Sequence, residues 1–118
     1  HLIDLLYKLG RAKQADDQVV AMLKFLRSRD QGERAITLLE EAVRLQPKQM
    51  ALRARLARAW LDAGQREKAI VELDALGELQ LDAGQREQAM TTVQFIISLK
   101  PENVEAYRML LTQLEASR

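Results

Sequence analysis

Few side chains in this sequence could carry chemistry. It contains one histidine, His1, and no cysteine. With its only imidazole at the terminus, we expect no Ser–His pair. The lack of thiols excludes Cys–His pairs and thiolate metal ligands. The sequence therefore predicts neither nucleophilic catalysis nor a bound metal.

Carboxylates are the remaining candidates for acid–base chemistry. One pair is Glu40 and Glu41, and a second group is formed by Glu72, Asp74, Glu78 and Asp82. A carboxyl group acts as a general acid near neutral pH where a closed apolar cleft raises its pKa. Nothing in the sequence indicates such a cleft, so we interpret both groups as solvated helix faces.

Two glycines, Gly64 and Gly84, require comparison with a phosphate-binding loop. Such a loop follows a strand and continues into Lys-Ser or Lys-Thr, and neither feature surrounds these residues. We interpret both glycines as turn residues. The chain is predicted to have no enzymatic activity and no cofactor.

The composition indicates one helical domain with an aliphatic core. Of its 118 residues, 47% are hydrophobic, 30% are charged and 4% are aromatic. The net charge of +1 lacks the clustered positive field that nucleic acids demand, so no nucleic acid is expected as a partner. No apolar run reaches the roughly 18 residues of a membrane span. The absence of cysteine fits the cytosol and an oxidising compartment alike, with the cytoplasm slightly favoured.

A polar turn recurs along the chain and organises the helices. The segment 61–67, Leu-Asp-Ala-Gly-Gln-Arg-Glu, returns unchanged at 81–87, and a looser copy lies at 29–35. Each copy leads into an alanine and an apolar run at helical spacing, and no segment alternates as a strand does. We predict about seven helices, at residues 2–14, 16–29, 32–45, 48–63, 66–82, 86–99 and 102–116.

These motifs resemble the tetratricopeptide repeat, whose unit of about 34 residues carries W-x2-L-G-x2-Y, then A-x3-F, then a proline. In the clearest copy, 70–103, the matching residues are Leu76, Gly77, Ala89, Val93 and Pro101. In the copy at 16–49 they are Val19, Met22, Leu23, Leu26, Ala35, Leu39 and Pro47. The resemblance implies an all-α fold, a right-handed superhelical stack of antiparallel helix pairs. Small residues such as Gly77 would let neighbouring helices approach closely.

The repeat period changes in the middle of the chain. Ala69 follows Ala35 after one full repeat, but Ala89 follows Ala69 too soon, as if about one helix were missing between them. We predict one domain over 1–118, with repeats at 16–49, 50–69 (truncated) and 70–103 and flanking helices at 2–14 and 102–116. The helix at 66–83 would serve two repeats, so we predict a kink or an exchange of helices between two chains there.

The resemblance also implies a concave groove lined by the first helix of each pair. The groove residues that we predict are Lys24, Arg27, Arg55, Arg58, Asp74 and Glu78. The sequence is polarised in the same direction, because residues 1–60 carry a net charge of +5 and residues 61–118 a net charge of −4. Trp60 stands where the family has a large aromatic residue between helices, so core packing is a better interpretation than a partner anchor.

The predicted function is a protein-interaction scaffold within a larger, bacterial protein. Its partner would be a protein or peptide that binds as an extended peptide or a helix in the concave groove. Two alternatives stay open at this point. The chain could be a self-association module that forms a homodimer, or the regulatory part of a larger enzyme or transcription factor.

Overall fold

The computed structural model describes residues 7–29 and 32–116, without the side chains of Ala12 and Arg27. All regular secondary structure in these residues is helical. The six helices are α1 (Ala12–Ser28), α2 (Gly32–Leu45), α3 (Met50–Asp62), α4 (Arg66–Asp82), α5 (Arg86–Ser98) and α6 (Val104–Ala116). The all-α prediction is confirmed.

The helix bounds agree with most of the predicted ones. The predicted helices 32–45 and 66–82 are confirmed at both ends, and three others differ only slightly at an end. The larger difference lies at the start, because α1 already begins at Ala12. Tyr7 and Lys8 are helical and Leu9 and Gly10 form a turn, so the helix predicted at 2–14 ends earlier than expected.

The beginning of that predicted helix, up to residue 6, lies outside the described residues. The described residues contain six complete helices besides the helical Tyr7 and Lys8, so the count of seven stays a prediction. The right-handed superhelical arrangement stays a prediction.

Each helix packs against the next one along the chain, and α3 on α4 is the most extensive of these contacts. Two apolar clusters result. The first lies among α1, α2 and α3 and includes Val19, Leu39, Leu52 and Leu56. The second joins Ala57 of α3 to Leu73 and Leu76 of α4 and Ile96 of α5. Because α3 contributes to both clusters, it connects the two halves of the protein.

Like the other inner helices, α4 contacts both of its neighbours, α3 and α5, and Ala69, Leu73, Leu76 and Gly77 are buried along it. Its predicted role as a helix shared by two repeats stays a prediction. The predicted kink or exchange of helices at 66–83 stays a prediction.

The duplicated turns end their helices through glycine in a left-handed conformation. Gly64 and Gly84 have φ angles of 75° and 76°. The amide of Gly64 donates to the carbonyl of Leu61, and that of Gln65 donates to the carbonyl of Trp60. The same pair of bonds recurs at Gly84 and Gln85. This is the Schellman arrangement, in which a residue without Cβ satisfies the last carbonyls of the helix.

The helices recur as two sets of three, a period that was not predicted from the sequence. The first residue of α1 is separated from that of α4 by the same number of residues as α2 from α5 and α3 from α6. We call this shift, from residue 12 to residue 66, the three-helix period. It also takes Pro47 to Pro101.

The turn before α1 belongs to the same pattern. The three-helix period takes Gly10 to Gly64, and both have a φ of 75°. It also takes Ala35 to Ala89. The full spacing from Ala35 to Ala69 and the shortened spacing from Ala69 to Ala89 therefore add up to one three-helix period. In the sequence, the turn at Leu9 and Gly10 is the sign of this period. The residues around it differ from those around the later turns at Gly64 and Gly84.

At the contact between α4 and α5, a hydrogen bond is found where the repeat motif has an aromatic residue. Gln80 stands at an aromatic position of the motif, and its Oε1 accepts a hydrogen bond of 2.6 Å from the buried hydroxyl of Thr92. Gly77 is buried on the same helix, but a Cβ there would meet only Cγ2 of Thr92, at 3.8 Å. That is ordinary van der Waals contact, so the close approach of these helices does not require glycine at 77.

Alanine at two glycine positions should therefore have opposite effects on stability. We expect Gly84→Ala to lower the free energy of unfolding by about 1 kcal/mol, because a Cβ is strained at positive φ. Gly77→Ala should raise it by about 0.5–1 kcal/mol, because it removes the entropy cost of glycine inside a helix without a clash. Urea denaturation of both variants, followed by circular dichroism, tests this. Destabilisation by Gly77→Ala would show that α4 and α5 cannot accommodate the methyl group.

Candidate binding groove

A groove runs between α1 and α3. Its volume is about 470 Å³, and its lining comprises Val20, Leu23, Lys24, Ala51, Ala54, Arg55 and Arg58. The residues from each helix are spaced by about one helical turn, and this spacing puts them on one helical face. Small side chains on α3 keep the floor open, and the long cations lie around it.

Two of these cations are bound to carboxylates of the same chain. Arg55 makes a bidentate ion pair with Asp16 of α1, with both N–O distances at 2.9 Å. Arg58 lies 3.3 Å from the carboxylate of Asp62 one turn away on α3. These pairs reduce the positive potential that the sequence predicted for this groove. Lys24 is exposed on its rim.

A second groove continues from the first across α3 towards α5. Its volume is about 280 Å³, and it is lined by Ala54, Ala57, Arg58, Leu61, Leu73, Thr91, Thr92 and Phe95. Ala54 and Arg58 line both grooves, so the two form one continuous surface, here called the α1–α3–α5 groove. Phe95 is 42% exposed at its far end.

Phe95 is not among the groove residues predicted from the sequence. It lies in the apolar run of α5 beside Ile96 and Ile97, so its type and position resemble those of a core residue. Only the packing of α5 on α4 shows that its ring faces solvent at the groove. An aromatic side chain in such a position can anchor an apolar residue of a partner.

The predicted acidic residues lie in a different place. Asp74 and Glu78 line a small cavity of about 40 Å³ between α4 and α6, together with Tyr107 and Leu110. The three-helix period takes Val20 and Lys24 to Asp74 and Glu78. Lys24, Arg55 and Arg58 thus line one site, and Asp74 and Glu78 line another of opposite charge. The side chain of Arg27 lies outside the described residues.

Tyr107 connects α6 to α4 at the acidic site. Its hydroxyl donates a hydrogen bond of 3.2 Å to Oδ1 of Asp74. Burial raises the pKa of Tyr107 above its ordinary value of 10.0, and the nearby charge and hydrogen bond of Asp74 raise it further. The pKa of Tyr7 is also raised, first by burial and then by the charge of Asp16.

Trp60 and the carboxylates considered in the sequence have structural surroundings. Trp60 is half-buried against the first apolar cluster, with Nζ of Lys68 4.5 Å from its ring centroid; the core role is confirmed. Glu72 pairs with Arg53 across α3 and α4 at 2.8 Å. Glu40, Glu41 and Asp82 are exposed.

Metal binding and membrane insertion have no support within residues 7–29 and 32–116. In these ranges, no group of three or more histidine, cysteine or carboxylate side chains could hold a metal ion. None of the helices there has the length and apolar character needed to cross a membrane.

The comparison with known families identifies part of this helical array. The family model of the tetratricopeptide repeat matches residues 26–80, from the end of α1 through most of α4. No curated protein matches the chain.

The raised pKa of Tyr107 leads to a prediction for alkaline pH. A group whose pKa is higher in the folded state contributes stability that is complete below its unfolded pKa and is lost as pH rises through its folded pKa. The free energy of unfolding should therefore fall above about pH 10. Tyr107→Phe should cost about 0.5–1 kcal/mol at neutral pH through the lost hydrogen bond, and its stability should then fall less steeply between about pH 10 and 12. Thermal unfolding across this range measures both effects, and parallel curves for the two proteins would contradict the prediction.

Proposed function

We propose that this chain is a protein-interaction scaffold, because residues 26–80 match the tetratricopeptide repeat, whose repeats generally mediate protein–protein interaction. It binds a peptide or a helix of a partner protein in the α1–α3–α5 groove. The supporting observation is that two neighbouring grooves of about 470 and 280 Å³ share Ala54 and Arg58 and so offer one extended surface.

The lining of this surface indicates how a polypeptide would be held. The floor is apolar, from Val20 and Leu23 at one end to Leu61 and Phe95 at the other. Burial of apolar side chains on this floor would supply most of the affinity, at roughly 25 cal/mol per Å² before the costs of association. A groove this long and open suits several consecutive side chains of a peptide better than one small molecule.

The charges would contribute orientation more than affinity. Arg55 is held by Asp16 at 2.9 Å and so serves mainly to join α1 to α3. Lys24 and Arg58 lie on the rim, where they are exposed. Electrostatic contacts at an exposed rim act on association rate and on the choice of partner. An acidic residue of the partner would therefore lie near the α1 side of the groove.

The family is typically a non-enzymatic scaffold, and the proposal assigns no catalytic step to this chain. Self-association is the alternative within the class of binding proteins. Light scattering at micromolar concentration separates the two, because a stable dimer favours self-association and a monomer favours the binding of another protein.

A single charged residue on the shared floor should abolish peptide binding. Ala54 is exposed and lines both parts of the groove, so Ala54→Glu should leave the fold intact while it places a carboxylate among apolar contacts. Peptides selected on the unmodified chain from a random display library should lose at least about tenfold in Kd, which is about 1.4 kcal/mol. Ala106→Glu is the matched control, because Ala106 is also exposed but lies on α6 outside the groove. Equal binding by both variants would contradict the proposal.

Reversal of the rim charges should affect acidic peptides selectively. Lys24→Glu with Arg58→Glu should weaken the selected peptides that carry Asp or Glu by about three- to tenfold and leave neutral peptides nearly unchanged. The effect should diminish at high salt, because exposed charges are screened. Lys13→Glu with Lys48→Glu gives the same change in net charge away from the groove. A loss as large in that control would show that only the overall charge matters.

A further inference from the structure

The polar side chains that line the α1–α3–α5 groove are either charged or already hydrogen-bonded within the chain. The hydroxyl of Thr91 donates to a carbonyl of its own helix, and that of the buried Thr92 donates to Oε1 of Gln80 at 2.6 Å. None of the described residues that line the groove is asparagine, glutamine, serine or tyrosine. The remaining polar side chains of this lining are Lys24, Arg55 and Arg58.

This lining does not suit an extended peptide. The backbone N–H groups that such a peptide turns towards the groove lose water and need acceptors there. In the described lining, the uncharged side-chain acceptors are the oxygens of Thr91 and Thr92, both on α5. A helix satisfies its backbone groups internally and contacts a groove through side chains alone. The chemistry of the groove therefore favours a helix.

The floor of the groove permits the close approach of a helix. On α3, the exposed Ala51 and Ala54 line the groove, and Ala57 lies about one turn further along. Side chains this small let the axes of two packed helices approach to about 8 Å. Larger apolar side chains lie on either side, with Val20 on α1 and Phe95 on α5.

The two parts of the groove lie towards α1 and towards α5, and both include Ala54 and Arg58. Neighbouring packed helices are about 8–10 Å apart, so the two parts are separated by about that distance. Residues seven positions apart on a helix share one face and lie about 10.5 Å apart along its axis. A helix that crosses α3 over Ala54 can therefore place one large side chain in each part.

Charge complementarity indicates which residues flank the apolar stripe of this helix. Lys24 and Arg58 are exposed in the part of the groove beside α1. Arg58 pairs with Asp62 at 3.3 Å, and both side chains of this pair are more than half exposed. Exposed pairs of this kind contribute little stability, so a carboxylate of the partner can replace Asp62.

We propose that the partner segment in the α1–α3–α5 groove is an amphipathic helix that crosses α3 over Ala54, an inference that rests on the proposed function. Its apolar stripe carries large side chains at positions i and i+7, one beside Val20 and the other beside Phe95. A small residue at i+3 or i+4 lies over Ala54. Acidic residues lie on the flank of the helix that faces Lys24 and Arg58.

Two display libraries of peptides of equal length test the helix against an extended segment. The first fixes large apolar residues at i and i+7 and alanine at i+3 and i+4, and varies the other positions among good helix formers. The second places proline at every fourth position, which prevents a helix and favours an extended backbone. With the unmodified chain as bait, we expect enrichment from the first library, with Glu on one flank of the stripe.

The outcomes distinguish the helix from the proposed function. Equal or stronger enrichment from the proline library would overturn the helix and leave the proposed function standing. Enrichment from neither library would overturn both. Selected peptides of the first library should also gain helical circular dichroism on binding, because a short helix is only marginally stable alone. No such gain at saturation would overturn the helix.

A double-mutant cycle tests where the helix lies. Phe95→Ala should weaken a selected peptide at least about tenfold. In this variant, replacement of one of the two large peptide residues by alanine should weaken binding little further, whereas replacement of the other should have its full effect. Phe25→Ala is the matched control, since Phe25 is 57% exposed on α1 but does not line the groove, and it should leave Kd unchanged. Fluorescence anisotropy of labelled peptides measures each Kd, and full effects of both replacements in Phe95→Ala would overturn the placement.

Discussion

The packing of α3 on α4 is the contact on which the rest of the structure depends. Ala57 presents almost no side chain at its centre, so the two helices approach closely and Leu73 and Leu76 fill the space beside it. Arg53 and Glu72 pair across the same contact at 2.8 Å, with both side chains largely shielded from water. Such a pair gains little net stability after desolvation, but it fixes how the two helices are aligned along their axes.

The first groove and the acidic site lie on either side of this contact. On one side of the contact, α3 meets α1 and leaves the first groove; on the other side, α4 meets α6 and leaves the small acidic site. The residues that α1 contributes to the first groove and those that α4 contributes to the acidic site are related by the three-helix period. Their chemistry differs because the exposed positions differ: Lys24 in one unit corresponds to Glu78 in the other. One backbone arrangement thus supports two surfaces of opposite charge.

Two buried alanines recur in both units. Ala15, Ala69 and Ala89 are 0% exposed and Ala35 is 5% exposed, because the helices that cross there leave no room for larger side chains. Among the exposed positions, Glu41 of the first unit corresponds to Phe95 of the second. This difference places an aromatic side chain at the end of the groove.

The sequence by itself determined the helices, most of their bounds and the resemblance to the tetratricopeptide repeat, because helical periodicity, glycine turns and prolines act over short stretches of chain. Helices 32–45 and 66–82 follow from such local signals. Only the tertiary structure decided which charges face the groove and which are already paired, since Arg55 and Asp16 meet from two helices that are far apart in sequence. It also decided that Phe95 is exposed and that the helices recur in sets of three. Local patterns specify which face of a helix is apolar, whereas the neighbour that covers this face is specified by packing between distant segments.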